Sequence, residues 1–197
     1  MKLEYGENSV RKAIVCFLGL VLGVCVVQPV FSGPLSLGLA AGYYMPSDSA
    51  YKDLYGQGGL MFGGSFSFEL IRKFEVRVDG GYFQDSGKMN LTKEDLKLSL
   101  LAGGLGVRLR FVDAKLLRPY LGGGLAVYGY KEDLPSRLED VSKTALGFQI
   151  EAGTYIRLTQ RVLLDLNLRY VFMNAKPLRE AVKLGGIRAG LGIVYQF

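Results

Sequence analysis

Eleven ionisable residues recur at alternate positions within otherwise apolar stretches of the chain. The carboxylates are Glu69, Glu75, Asp79, Glu151 and Asp165; the guanidiniums are Arg77, Arg108, Arg110, Arg157, Arg169 and Arg188. Two carboxylates on neighbouring segments, such as Glu151 and Asp165, can do acid–base work when their environments split their pKa values. Surrounded by arginines, they have a plainer chemistry in ion pairing. Arginine's planar fork matches a carboxylate bidentately, and charges buried without partners cost several kcal/mol each. The remaining composition narrows the choice further. The 197 residues include no histidine and no tryptophan. This excludes an imidazole base, a His-activated serine or cysteine, and His-ligated zinc or haem. Cys16 and Cys25 are the two cysteines, and both precede residue 33, so the rest of the chain can hold neither a disulfide nor a thiolate site. The acidic pairs Glu94–Asp95, Glu132–Asp133 and Glu139–Asp140 lack calcium-loop spacing. Gly122-Gly123-Gly124 lies in a strand pattern with no helix after it, so it is not a phosphate loop. No catalytic, cofactor-binding or metal-ligating residue is expected, and the chain does not read as an enzyme.

The elements that position the charged residues have period 2. Eight strands are expected, over about 35–44, 60–70, 74–83, 96–111, 120–130, 145–158, 162–172 and 187–197. In the seventh, Val162, Leu164, Leu166, Leu168, Tyr170 and Phe172 share one face, and Asp165, Asn167 and Arg169 share the other. All eleven charges fall on the non-apolar parity. The fourth strand is irregular: Leu96, Leu98 and Leu100 have the opposite parity to Leu101, Leu105, Val107 and Leu109. Either a bulge shifts the phase near Leu100 or that end projects beyond an apolar layer. Pro34, Pro46, Pro119, Pro135 and Pro177 fall at strand edges or in connections, as expected of a residue that cannot donate to a ladder. Three of the 27 glycines precede residue 33; the rest ease strand bending and close packing in a narrow cylinder.

Residues 1–32 read as a secretory signal. Lys2, Arg11 and Lys12 are followed by an apolar run from Ala13 to Val27, broken by Pro29, with Val30 and Ser32 at a cleavage site before Gly33. The alternative is an uncleaved N-terminal anchor. The domain is then 33–197, with 21 Lys+Arg against 16 Asp+Glu once Lys2, Arg11, Lys12, Glu4 and Glu7 are set aside. The cations form no dense basic patch interleaved with aromatics, so nucleic acid is not an expected partner.

Connections after strands 1, 3, 5 and 7 (about 46–59, 84–95, 131–144 and 173–186) are longer than those after strands 2, 4 and 6. That alternation is the pattern of an outer-membrane barrel, with short turns at one end and longer loops at the other. Alternation alone also fits a soluble barrel with its apolar face inward. Three features favour lipid outside. The strands reach about ten residues, against ~5–6 in soluble proteins. Tyr43, Tyr82, Tyr170 and Phe172 form one aromatic band on the apolar face, and Phe68, Phe74, Phe111, Tyr195 and Phe197 form a second. The apolar face carries no charge along the core of the strands, where a lipid-facing arginine would cost ~2–4 kcal/mol.

The ending Leu191-Gly192-Ile193-Val194-Tyr195-Gln196-Phe197 resembles the C-terminal signature of outer-membrane proteins. Pro119-Tyr120-Leu121-Gly122-Gly123-Gly124-Leu125 looks like a strand common in the same family. Residues 33–197 thus resemble the eight-stranded outer-membrane β-barrel group, which includes OmpA-, OmpX/Ail- and OmpW-like barrels. The resemblance implies an all-β, eight-stranded antiparallel transmembrane barrel in the bacterial outer membrane. It also implies that Leu191, Ile193, Tyr195 and Phe197 form the signal read by the barrel-assembly machinery. Expected partners are outer-membrane lipids and lipopolysaccharide, the latter met by Lys52, Lys88, Lys93, Lys131, Lys143, Lys176, Arg179 and Lys183. Known lipid A-modifying barrels of this size use a histidine, which is missing here. A filled lumen crossed by Arg–carboxylate bridges, with tyrosine and asparagine, is the first expectation and makes this a structural or interaction protein. The alternative is a small porin-like channel or an OmpW-like transporter of small hydrophobic molecules, with Tyr44, Tyr128 and Tyr130 at its mouth.

Overall fold

The computed structural model describes residues 33–48, 57–88, 95–111, 116–133, 141–173 and 185–197. The export segment 1–32 and the cations Lys52, Lys93, Lys176, Arg179 and Lys183 lie outside the described residues. Eight strands follow in order: β1 (Leu35–Pro46), β2 (Gly59–Ile71), β3 (Phe74–Lys88), β4 (Asp95–Arg110), β5 (Leu117–Asp133), β6 (Val141–Arg157), β7 (Val162–Met173) and β8 (Gly186–Gln196). Each pairs antiparallel with its neighbours in sequence, and β1 pairs with β8 to close the barrel. The last residue takes part in this closure, the Phe197 N–H donating to the Leu35 carbonyl at 2.9 Å.

Closure satisfies every sheet edge, which is what an apolar solvent requires. The sense of the alternation follows from it. Leu39, Phe62, Leu101, Leu125, Leu146, Phe148, Leu168 and Ile193 point outward and are exposed. The charged and hydroxyl-bearing parity points inward. Leaving such an apolar girdle in water would far exceed the few hundred Å² that soluble monomers tolerate. Both aromatic bands face outward, with Tyr43, Tyr82 and Phe172 exposed in one and Phe74, Phe111, Tyr195 and Phe197 in the other.

Of the two readings offered for the fourth strand the structure supports the second, and the strand ends differ from the sequence expectations. The fourth strand has no bulge: β4 pairs in unbroken register with β3 from Asp95 to Leu109 and with β5 from Lys97 to Arg110. Leu98 and Leu100 keep the inward parity and are 2% and 1% exposed. They pack inside the barrel mouth instead of facing lipid. The long-loop ends of β3 to β6 also run further than the apolar alternation does. Lys88 pairs with Asp95, and Glu132 with Val141. Lys88, Lys131 and Lys143, expected in loops, therefore belong to strands. Beyond the lipid layer both faces of a hairpin can be polar, so backbone pairing continues where the period-2 signal has faded. At the opposite end the β2–β3 turn is tight. Lys73 adopts φ 76°, and the ladder slips by one residue between Glu69 and Ile71.

Candidate functional site

The barrel interior is filled in three layers. Nearest the long loops, Tyr44, Met61, Phe83, Leu98, Leu100, Tyr128, Val171 and Met173 form a buried apolar cluster. Tyr44 meets Phe83 and Tyr128 edge-on, with ring centroids 5.3 and 6.4 Å apart. Tyr44 and Tyr128, expected at a mouth, are thus packed within this layer; the Tyr130 side chain lies outside the described residues. A smaller cluster of Tyr120, Tyr155, Leu163 and Val194 sits toward the short turns.

Between these clusters runs the ionic layer, built on Arg108. This side chain is 0% exposed. It projects from β4 over the inward-facing Gly122 of β5, its register partner, and reaches β6 and β7. A Cβ at Gly122 would stand 2.9 Å from both Cγ and Oε1 of Glu151, so glycine there is what leaves room for the pair. Arg108 Nε donates to Glu151 Oε1 at 2.6 Å and Nη2 to Oε2 at 3.0 Å, the bidentate geometry that suits guanidinium and carboxylate. Nη1 donates to Asp165 Oδ2 at 3.3 Å and to the Tyr155 hydroxyl. The guanidinium lies 4.1 Å from the centre of the Tyr120 ring, a cation–π contact.

The network extends across the lumen. Arg169 on β7 donates to Asp79 on β3 at 2.7 and 2.9 Å, and also to Glu151 at 2.9 Å and Gln149 at 3.0 Å. Arg77 on β3 returns the connection to Asp165 on β7 at 3.3 Å. The Tyr120 hydroxyl donates to Asp165 Oδ1 at 2.6 Å. The Tyr155 hydroxyl lies 2.9 and 3.1 Å from the two oxygens of Glu75. At the edge of the layer Arg110 Nη2 meets Glu69 Oε2 at 2.5 Å. Gly104 plays the same spatial role as Gly122: a Cβ there would stand 2.8 Å from the Gln149 amide and 3.0 Å from Asp79.

Of the eleven charged residues singled out in the sequence, nine meet within this layer. Two do not pair as expected. Arg157 makes no ion pair among the described residues, and its Nε is buried without a hydrogen-bond partner. Arg188 makes no ion pair among the described residues, and its one hydrogen bond among them goes to the Met61 sulfur, at 3.8 Å. Asn167 also makes no side-chain hydrogen bond among the described residues, although both its amide atoms are buried. Glu151 and Asp165 are each held by two arginines, not left free for acid–base work. The sequence reading expected tyrosine in the network without naming Tyr120 or Tyr155, and it missed Gln149. Their inward parity was legible, but their reach was not. Leu191, Ile193, Tyr195 and Phe197 all point outward from the last strand.

A closed antiparallel barrel with an apolar exterior and an ionic, side-chain-filled interior defines the transmembrane β-barrel class. The profile of the outer membrane protein beta-barrel domain family matches residues 18–197, and the chain belongs to that family. Its location is the bacterial outer membrane. Solved structures agree in fold. The outer membrane protein OprG of Pseudomonas aeruginosa superposes with a TM-score of 0.69 at 16% identity, covering 85% of this chain and 97% of that one. Neisserial surface protein A gives 0.64 at 18% identity, covering 83% and 97%. Ail, the attachment invasion locus protein of Yersinia pestis, gives 0.59 at 13% identity, covering 84% and 99%, in a complex with the heparin analogue sucrose octasulfate. At these identities the likeness is one of fold. No curated protein matches the sequence.

Proposed function

We propose that this barrel serves as a structural and surface-contact element of the outer membrane, with a lumen closed to solutes. The observation that carries the reading is the stacking of the apolar cluster around Tyr44 and Leu100 on the ionic layer around Arg108. Eight strands enclose an interior just wide enough for side chains to fill, and here successive apolar and ionic layers fill it. With both Glu151 and Asp165 engaged by arginines, a non-enzymatic role is the better supported one. Contact then falls to the outer connections. Lys52, Lys93, Lys176, Arg179 and Lys183 in those segments suit the phosphates of lipopolysaccharide, and the polyanionic ligand in the Ail complex supports such a contact by analogy. During biogenesis the outward row Leu191, Ile193, Tyr195 and Phe197 would engage the barrel-assembly machinery.

The test is conductance in planar bilayers, using protein whose heat-dependent gel shift shows that the barrel has formed. The expected result is no steady unitary current in concentrated potassium chloride. A stable current that scales with the amount of folded barrel would refute the closed lumen. A second reading, sideways passage of small hydrophobic molecules, is favoured by one feature. A recess of about 460 Å³ near the long-loop end is lined by outward-facing Leu146, Phe148 and Phe172 together with inward-facing Val171 and Met173. Accelerated entry of a hydrophobic dye into vesicles bearing the barrel, with no ionic current, would favour it.

A further inference from the structure

Beside the ionic layer lies a hollow with an unusual balance of hydrogen-bonding groups. Its walls are bare backbone at Gly42, Gly63 and Gly190, and its polar lining is Arg77, Asp79, Asn167 and Arg188. The hollow has a volume of about 10 Å³, room for roughly one small particle. Asn167 is 7% exposed, and among the described residues neither Nδ2 nor Oδ1 has a hydrogen-bond partner. Its side chain lies over Gly190, where a Cβ would stand 2.8 Å from Oδ1. Among the described residues the Arg188 guanidinium has only the weak Met61 sulfur as a hydrogen-bond acceptor, at 3.8 Å. Arg77 Nε is also without a hydrogen bond; Asp79 Oδ1 lies 3.5 Å away but outside hydrogen-bonding geometry.

The carboxylate in the lining is already committed, since both oxygens of Asp79 accept from Arg169. The hollow is therefore rich in donors and cationic charge and short of acceptors. Arg188 also stands directly opposite Arg169 in the β7–β8 ladder, a like-charge cross-strand pair that Asp79 offsets only in part, since that one carboxylate also faces Arg77. Water would satisfy Asn167 but would leave that repulsion in place. We propose that the hollow binds one small inorganic anion of halide size, held by Arg188 with Asn167 Nδ2 and Arg77 Nε. This site does not require the lumen to be closed.

The experiment uses the refolded full barrel in uncharged detergent, in two arms. In the first, crystals grown in bromide are examined for anomalous scattering; a bromide peak between Arg188 and Asn167 is expected. In the second, unfolding is followed while chloride replaces gluconate at constant ionic strength. Halide-specific, saturable stabilisation is expected, with the folding equilibrium constant rising about tenfold when the halide exceeds its dissociation constant about tenfold. Arg188→Met should abolish the dependence. Asn167→Asp supplies an internal anion and should also abolish it while keeping the gel shift, which covers the case in which Arg188→Met fails to fold. No bromide peak, no difference between chloride and gluconate, or an undiminished chloride effect in Asn167→Asp would each overturn the site.

Discussion

Replacing Arg108 with methionine removes the centre of the lumen network while nearly conserving the stem's volume. The wild-type side chain makes two hydrogen bonds to Glu151, one to Asp165 and one to Tyr155, and it stacks on Tyr120. Breaking a buried ion pair from one side costs about 3–5 kcal/mol, because the remaining charge stays buried. Two facts place Arg108→Met near the lower end of that range. Glu151 keeps Arg169 at 2.9 Å, and Asp165 keeps Arg77 at 3.3 Å. Loss of the desolvated cation–π contact adds up to about 2 kcal/mol. A net destabilisation of about 3–4 kcal/mol is expected, several hundredfold in the folding equilibrium. Reversible urea unfolding of the refolded barrel, read by the gel mobility of folded against unfolded protein, measures it. At a urea slope of about 1–3 kcal/mol per molar, the midpoint should fall by more than 1 M. The double variant Arg108→Met with Glu151→Leu is the companion, since an ion pair replaced whole by apolar groups is often neutral. It should recover most of the loss. An Arg108→Met midpoint indistinguishable from wild type would refute the reasoning, as would a double variant less stable than the single one.

Three further outcomes can be checked on the same preparation or in cells. Leu125→Arg places a charge on the lipid face near the middle of β5, opposite Leu105 and Phe148, and should cost about 2–4 kcal/mol in lipid vesicles, measured by the same titration. Gly122→Val puts a branched side chain within 2.9 Å of Glu151 and should destabilise by about 1–3 kcal/mol, whereas Gly129→Val, with nothing nearer than 4.0 Å, should be milder. Deleting Phe197 should slow appearance of the heat-shifted form in cells far more than it slows refolding of pure protein in detergent. Equal slowing in both would mean that the residue acts through the β1–β8 closure alone.

Lipid made most of the fold legible in the sequence. Because the outer face must stay apolar through the whole layer, runs such as Leu164, Leu166 and Leu168 alternate without interruption and mark both the strand and its facing. The inward parity likewise picked out Arg108, Glu151, Asp165 and Arg169. Their pairing was not legible. It depends on how far each strand is staggered around the barrel, and stagger brings Arg169 into bidentate contact with Asp79 while Arg188 meets the Met61 sulfur. Leu98 and Leu100 were ambiguous for a related reason. Above the lipid layer an apolar residue can face inward, and the pattern no longer distinguishes a phase shift from a plug.

The cross-lumen bonds also bear on how the barrel completes itself. β3 and β7 stand four places apart in a ring of eight, so Arg77–Asp165 and Arg169–Asp79 run along a diameter. In an unrolled sheet those strands would be roughly 19 Å apart at ~4.8 Å per step, out of reach of any side chain. The ties can form only once the sheet has curled, and once formed they resist the parting of β1 from β8. Seam and spokes therefore lock together, and a half-rolled intermediate gains nothing from its charges until the circle is complete.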